Sequence, residues 1–353
     1  MREGFSRFLF VAAICLVSQF AATRVLGQAE RQTAQDQQPG SQPAASTATA
    51  AATTNPAGLP ANDAAAPQQP EPTGPPTQPQ WWPLPDDQTE HVSQLLDYWQ
   101  KSSDQIHQCT CDFTRWDYDP TYCNYRNPQS QELAAFAVWR GELRYAAPDK
   151  AMFETNEVWK FKLENDQADM EKSEDQNLKL KWVCDGKFIY DYNFISKVLN
   201  DIEIPAEFQG EGLVNSPLPF LFGANRETLL ERFWIRPITP AGVTEEYWLE
   251  AIPKRLEDSR TYSRVEIIIA RQDFLPKSMI IFSPNYDPKT NQTSQAYVFE
   301  NRKINGQLAA VQDFFGVFIK PKTPLGWSRV EQKPFADDSI TAQKEELERA
   351  KKR

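Results

Sequence analysis

Four cysteines lie beyond the first stretch of the chain: Cys109, Cys111, Cys123 and Cys184. An even number in a chain bound for an oxidising compartment suits a disulfide framework, with three possible pairings. Cys109 and Cys111 are two apart, so on a strand they share a face and are poorly placed to bond each other. The favoured pairing is therefore Cys111–Cys123 across a local loop and Cys109–Cys184 across strands. The rival chemistry is zinc ligation, but Cys-x-Cys followed, after eleven intervening residues, by one Cys is not a standard ligand spacing. No metal and no cofactor is expected.

Other reactive groups are sparse. His91 and His107 are the two histidines, and neither has a Ser or Cys partner in a nucleophile motif such as GxSxG. A triad can still assemble in space, so the missing motif lowers the odds of catalysis without removing them. Neither GxxxxGK[ST] nor GxGxxG occurs, so no phosphate cradle is expected. Asp166, Asp169, Glu171, Glu174 and Asp175 form an acidic run that reads as a solvated loop. Its spacing is not that of an EF-hand. Asn291-Gln292-Thr293 matches a glycosylation acceptor.

Aromatic residues stand out instead. Ten Trp, eleven Tyr and twenty-one Phe make up 12% of the chain. Phe153, Trp159 and Phe161 fall on one face of a period-two run. Trp182, Phe188, Tyr190 and Tyr192 occupy even positions of another. Such side chains, alternating inward on a curved sheet, can line a greasy cavity, or they can simply fill a core. The candidate cavity residues are Phe153, Trp159, Trp182, Tyr190, Phe220 and Phe222.

The elements that must position these residues follow from periodicity. Val92, Leu95, Leu96 and Trp99 recur at helical spacing, and Asp86 or Asp87 can cap, so a helix is expected over about 87–103. The period then becomes two: Cys109, Cys111 and Phe113 alternate with polar residues. A second strand bends at Arg140-Gly141. A third carries Phe153, Thr155, Glu157, Trp159 and Phe161, and a charged tip spans 165–177. Asp185-Gly186 between apolar runs signals a tight hairpin. Further strand-like runs lie at 197–204, 245–252, 263–271, 276–283, 294–303 and 307–314, the last two joined through Asn305-Gly306. Pro217-Leu218-Pro219-Phe220-Leu221-Phe222-Gly223 breaks the pattern as an apolar loop or short helix, and Asn225 caps a helix carrying Leu229, Leu230 and Phe233. With no helix after every strand, a doubly wound fold is not expected. The fold class is mainly β (α+β): a strongly curved antiparallel, unclosed half-barrel with an N-terminal helix and a helical lid on its concave side.

The chain divides into four zones. In 1–27, Arg2 and Arg7 precede an apolar run from Phe8 to Ala22, and Val25-Leu26-Gly27 permits cleavage before Gln28: a secretory signal, or an uncleaved anchor. Cys15 sits inside that run after bulky Ile14 and is not a good lipoprotein acceptor. Residues 28–80 hold ten Pro, ten Gln and thirteen Ala with no aromatic residue. They cannot bury enough apolar surface to offset chain entropy and form a disordered tether. Residues 81–335 are the folded domain and 336–353 a polar tail. The net charge is −10. Without residues 1–27 it becomes −12, with 35 basic and 47 acidic side chains. An acidic chain with no basic cluster is a poor ligand for nucleic acid or anionic headgroups.

Gly141-Glu142-Leu143-Arg144-Tyr145-Ala146-Ala147-Pro148, then Val183-Cys184-Asp185-Gly186-Lys187-Phe188-Ile189-Tyr190-Asp191-Tyr192, then the Pro217–Gly223 segment and Leu275-Pro276-Lys277-Ser278-Met279 resemble the LolA/LolB-like periplasmic lipoprotein-carrier superfamily. They resemble still more an uncharacterised exported domain family of planctomycete bacteria that often carries the same tether. The resemblance covers most of residues 90–315. It implies a half-barrel with a helical lid over an apolar cavity, and a lipid or acylated protein as partner. The long tether, the four cysteines and an insertion near 160–180 depart from the carriers, and no ligand-contacting arginine can be matched.

The resulting expectation is an exported binding or carrier protein, periplasmic or otherwise in the cell envelope, holding a lipid or acylated partner and interacting with an envelope component. The alternatives are a structural envelope protein with a filled barrel and a carboxylate-dependent hydrolase of envelope polymers.

Overall fold

The computed structural model describes residues 76–165, 167–204, 220, 225–306 and 311–332. The signal, all but the last residues of the tether, the polar tail, Asp166, and the Pro217–Gly223 segment apart from Phe220 lie outside that set.

Helix α1 (Asp86–Asp104) buries Val92, Leu95, Leu96 and Trp99, the stripe that the 3.6-residue period marks. Asp86 and Asp87 fall in its first turn, where carboxylates complement the helix dipole, rather than capping it. Three long strands follow: β1 (Gln108–Tyr118), β2 (Ala137–Ala146) and β3 (Lys150–Glu164). The charged tip forms β4 (Gln167–Lys172) against β3. Beyond it come β5 (Lys181–Cys184), β6 (Phe188–Asn193) and β7 (Val198–Glu203). Gly186 turns the β5–β6 hairpin at φ +93°, a conformation that glycine alone adopts without strain.

Helix α2 (Arg226–Arg232) is capped by Asn225, whose side chain accepts from the Thr228 amide at 2.9 Å. It leads into β8 (Phe233–Pro237), β9 (Glu246–Pro253), α3 (Leu256–Thr261), β10 (Arg264–Ala270), β11 (Pro276–Phe282) and β12 (Ser294–Ile304). Helix α4 (Val311–Gly316) and β13 (Ser328–Gln332) complete the described chain.

Twelve strands form one path in the order β13-β7-β6-β5-β3-β2-β1-β12-β11-β10-β9-β8, and β4 joins at β3. The sheet is an unclosed, antiparallel half-barrel with few helices. One pairing departs from the expected pattern: β13 runs parallel to β7.

Alternation sends side chains to two faces. The concave face carries a continuous cluster that includes Trp99, Phe113, Trp139, Leu143, Phe153, Trp182, Ile267 and Phe299. The convex face carries a second, smaller one: Ala146, Met152, Val183, Tyr190, Leu199, Phe314 and Phe318. A bulge decides the sorting on β3. Arg140 pairs with Glu157 and Gly141 with Thr155, leaving Asn156 extra. One extra residue reverses the facing of everything beyond it. Phe153 and Val158 therefore belong to the concave cluster, whereas Trp159, opposite Val138, points away from it. The shared face expected for Phe153 and Trp159 is corrected on that ground.

Two further expectations are corrected. The cysteines form no disulfide: Cys109, Cys111, Cys123 and Cys184 are all free and buried. Cys109 on β1 and Cys184 on β5 are separated by β2 and β3, about 14 Å at strand spacing, against roughly 7 Å at most for a bridge. Cys111 lies seven residues before the end of β1, about 23 Å along an extended chain. Cys123 sits beyond that end, its amide bonded to the Asp119 carbonyl at 3.0 Å. The Asn305-Gly306 hairpin is also absent. Val311–Gly316 is helical, and the Asn305 side chain instead accepts from the His107 amide at 2.8 Å, tying the end of β12 to the start of β1.

Candidate functional site

The concave face is organised by an aromatic ladder that one glycine makes possible. Phe113 on β1 is opposite Gly141 on β2. A Cβ at Gly141 would collide with the Glu154 carbonyl oxygen and approach the Phe113 ring to 2.8 Å. With no side chain there, Phe113 reaches across β2 and stacks on Phe153 of β3, ring centroids 4.2 Å apart. Phe153 in turn stacks on Trp182 of β5 at 6.0 Å, with the two rings nearly parallel. Offset stacking of this kind adds to the area term of burial. Helix α1 lies over the other half of the sheet. It packs on α2 and β8, and the Tyr98 ring meets Phe274 at 4.9 Å.

The six sequence-derived cavity residues are divided by the fold. Phe153 and Trp182 stand on the ladder, 9% and 7% exposed. Phe220 belongs to the concave cluster at the β8 side, its ring 5.0 Å from Phe233. Trp159 is on the convex face, with Arg140 over its ring at 5.4 Å. Tyr190 is in the convex cluster and donates to Asp185 at 2.6 Å. Burial, then that carboxylate, push its phenol above the ordinary range. Phe222 lies outside the described residues.

At the other end of the concave face, Cys109, Cys111, Ile106, Leu275, Phe299 and Arg302 surround a cleft of about 20 Å³. This is room for about one water molecule, not an acyl chain. Hydrogen bonding from Cys111 holds the Cys109 thiol below its ordinary pKa against the opposing effect of burial, and Arg302 adds to it. The same bond and burial push Cys111 up. Cys184 is pushed up to about 12 by burial.

Among the described residues, four of the five buried acids meet an arginine, and the fifth, Asp191, accepts from the Asn200 side-chain amide at 3.3 Å. Asp117 takes the Arg115 guanidinium at 2.8 Å and the Trp139 indole N–H at 2.7 Å. Burial pushes the Asp117 carboxyl up, with Arg115 and Trp139 opposing. Asp201 meets Arg329 at 2.8 Å, Asp258 meets Arg232 at 2.7 Å and Glu250 meets Arg236 at 2.7 Å. These are the contacts of structural ion pairs. Among the described residues, no group of three or more His, Cys, Asp or Glu comes together to hold a metal, and no helix is long and apolar enough to cross a membrane. His91 rests against the Tyr247 ring at 6.0 Å. In the acidic run, Glu171 pairs with Lys162 at 3.1 Å, and Asp175 accepts from the Asn177 amide.

The convex face has its own groove, of about 370 Å³, between β2, β3, β5 and β6 and residues 316–321. Arg144, Lys181 and Lys320 line it with Glu154, Tyr192 and Ile319. Each of these cations already has an acid: Glu142, Glu154 and Asp201. Sequence reading missed this groove, Arg302 and the Arg115–Asp117 pair. Arg302 carries no local signal, because its partners Asp273 and Pro276 come from another segment. The period-two pattern of β1 did contain a hint: Arg115 and Asp117 continue the inward series Cys109, Cys111, Phe113.

No protein-family model matches the chain, and no curated protein sequence does. Solved structures give remote likenesses. An uncharacterized conserved protein of Thermus thermophilus aligns at TM-score 0.36 and 8% identity, over 69% of this chain and 99% of its own. A LolA superfamily protein of Nitrosomonas europaea aligns at 0.27 and 8%, over 62% and 96%. The MucA/MucB complex of Pseudomonas aeruginosa aligns at 0.30 and 11%, over 63% of this chain but 60% of that one. The half-barrel assignment stands on the strand pairing itself.

Proposed function

We propose that the chain is an exported, cell-envelope binding protein whose concave face takes the acyl chain of a lipid or acylated partner. The observation that supports this reading is the Phe113–Phe153–Trp182 ladder, placed on the half of an unclosed sheet opposite α1. Stacked aromatic rings inside an unclosed sheet suit a linear apolar ligand, which needs contact area and few polar groups. The cleft near Cys109 is too small for such a ligand, so uptake requires side chains of the concave cluster to move apart. The tether then serves as a spacer between the domain and whatever holds the N-terminus.

Native mass spectrometry of protein purified from its own envelope, together with quenching of tryptophan fluorescence by added fatty acid, tests the reading. Co-purified lipid is expected, and Trp182→Ala should weaken fatty-acid binding by about tenfold, the equivalent of losing part of one buried aromatic contact. Absence of both lipid and quenching would sink it.

A second reading, a structural envelope protein with a filled barrel, is favoured by the small volume of the Cys109 cleft and by the dense packing around Trp99 and Trp139. It predicts no lipid and no quenching in the same experiment.

A further inference from the structure

Two thiols share one cleft with a guanidinium, and nothing in the binding role uses them. Cys109 and Cys111 are successive inward positions of β1, both in the concave cluster. Opposite them β1 and β12 slip register between Thr110 and Asp112, where Asn301 adopts φ +52°. Such a bulge re-aims the neighbouring side chain. Here it brings Arg302 into the lining of the same 20 Å³ space. Arg302 cannot swing freely, because it donates to the Pro276 carbonyl at 2.7 Å and to Asp273 at 2.8 Å. Its side chain is 19% exposed, so the cleft reaches solvent along it.

We propose that Cys109 and Cys111, backed by Arg302, form a two-coordinate site for a soft monovalent cation of the Cu(I) or Ag(I) type. Residues two apart on an extended strand have Cα atoms about 6.6 Å apart with parallel side chains. That is the upper end of the disulfide range, so a direct S–S bond is disfavoured. A single ion between the sulfurs bridges the longer gap, and the cleft has room for about one such atom. Zinc and harder cations want four or more ligands, which the described residues do not assemble. Soft thiolates select Cu(I). On binding, each S–H bond breaks and each sulfur forms one bond to the metal. Two protons leave to solvent and no electron is transferred. The two thiolates and one monovalent ion leave a net single negative charge, which faces the Arg302 guanidinium that Asp273 holds in place at 2.8 Å. Ile106, Leu275 and Phe299 line the rest of the space with apolar surface.

The test is a reduced full chain in a C15S background, titrated with Cu(I) against a chromophoric Cu(I) chelator. One ion per chain should be retained, with a near-ultraviolet sulfur-to-metal band and release of two protons. C111S should lose more than about 100-fold in affinity, beyond what removal of an outer partner costs, and R302Q about tenfold. C123S and C184S should bind as the parent does. Failure to retain Cu(I), equal retention in C111S, or loss in C123S or C184S overturns the proposal. If C111S does not fold, the parent's stoichiometry and proton count with the R302Q shift decide it. None of these outcomes depends on lipid, so the site and the binding role stand or fall separately.

Discussion

The two faces of one sheet bury their side chains by different means. The concave face holds a continuous apolar cluster reaching from α1 on the β8 side to Trp182 and Ile189. The convex face is buried in the β2–β7 region, where residues 314–332 cross it. There Phe314 and Phe318 cover Met152, Val183, Tyr190 and Leu199. Asp201, fully buried, anchors that strap through Arg329 and Lys320. The concave face draws on area, which is insensitive to detail. The convex one draws on ion pairs that hold only while the strap is in place. Order in the second is therefore local and separable, and order in the first is global.

The largest test of this contrast removes a fully buried ion pair inside the concave cluster. Asp117→Ala leaves Arg115, 1% exposed, without its carboxylate and also removes the acceptor of the Trp139 indole. It should lower global stability by about 3–5 kcal/mol in urea unfolding. A loss below 1 kcal/mol would mean that solvent reaches Arg115 and that this cluster is not closed. Next is Gly141→Ala, which forces a methyl group against the Glu154 carbonyl and the Phe113 ring. A cost of about 3 kcal/mol is expected, with Phe113–Phe153 stacking lost in the near-ultraviolet circular dichroism. An unchanged spectrum would break the account of the ladder.

Phe318→Ala addresses the other face. It should cost about 2–3 kcal/mol of strap docking, read as faster amide exchange in β13, with β1 amides unaffected. Equal acceleration in both would show that the faces unfold together. The smallest effect concerns pH. Glu246 accepts from Lys277 and from the Trp248 indole N–H at 2.8 Å, and the lysine chiefly, then the indole, hold its carboxyl below the ordinary 4.5. A depressed folded value means that its stabilisation is present above about pH 4.5 and is lost as pH falls through the lower folded value. Glu246→Gln should therefore remove under about 1 kcal/mol at pH 7 and flatten part of the acid limb of the stability profile. An unaltered acid limb counts against the assignment.

Much of the architecture is legible in local pattern. The α1 stripe, the Asn225 cap, the Asp185-Gly186 hairpin and the β10–β11 pair depend on residues within a few positions of each other. The aromatic candidates were less legible. Trp159 follows Phe153 at even spacing, yet one unpaired residue at 156 sends it outward. Tyr190 shares parity with Trp182 along the chain, but the β5–β6 turn places it on the opposite face. The cysteines suit bridges by number, but distance across strands cannot be counted from spacing.

From the sequence alone came the helix and strand periods, the tight turns, the acidic balance and the antiparallel β class, because each rests on a residue's own backbone preference and on neighbours within one turn or one pleat. Only the tertiary structure decided which face Trp159 and Tyr190 occupy, that β13 lies parallel to β7, that Asn305 ties β12 to β1, and that Arg302 joins Cys109 and Cys111. Those outcomes depend on register between segments as much as some 200 residues apart, where a shift of one residue inverts the facing and no local signal records it.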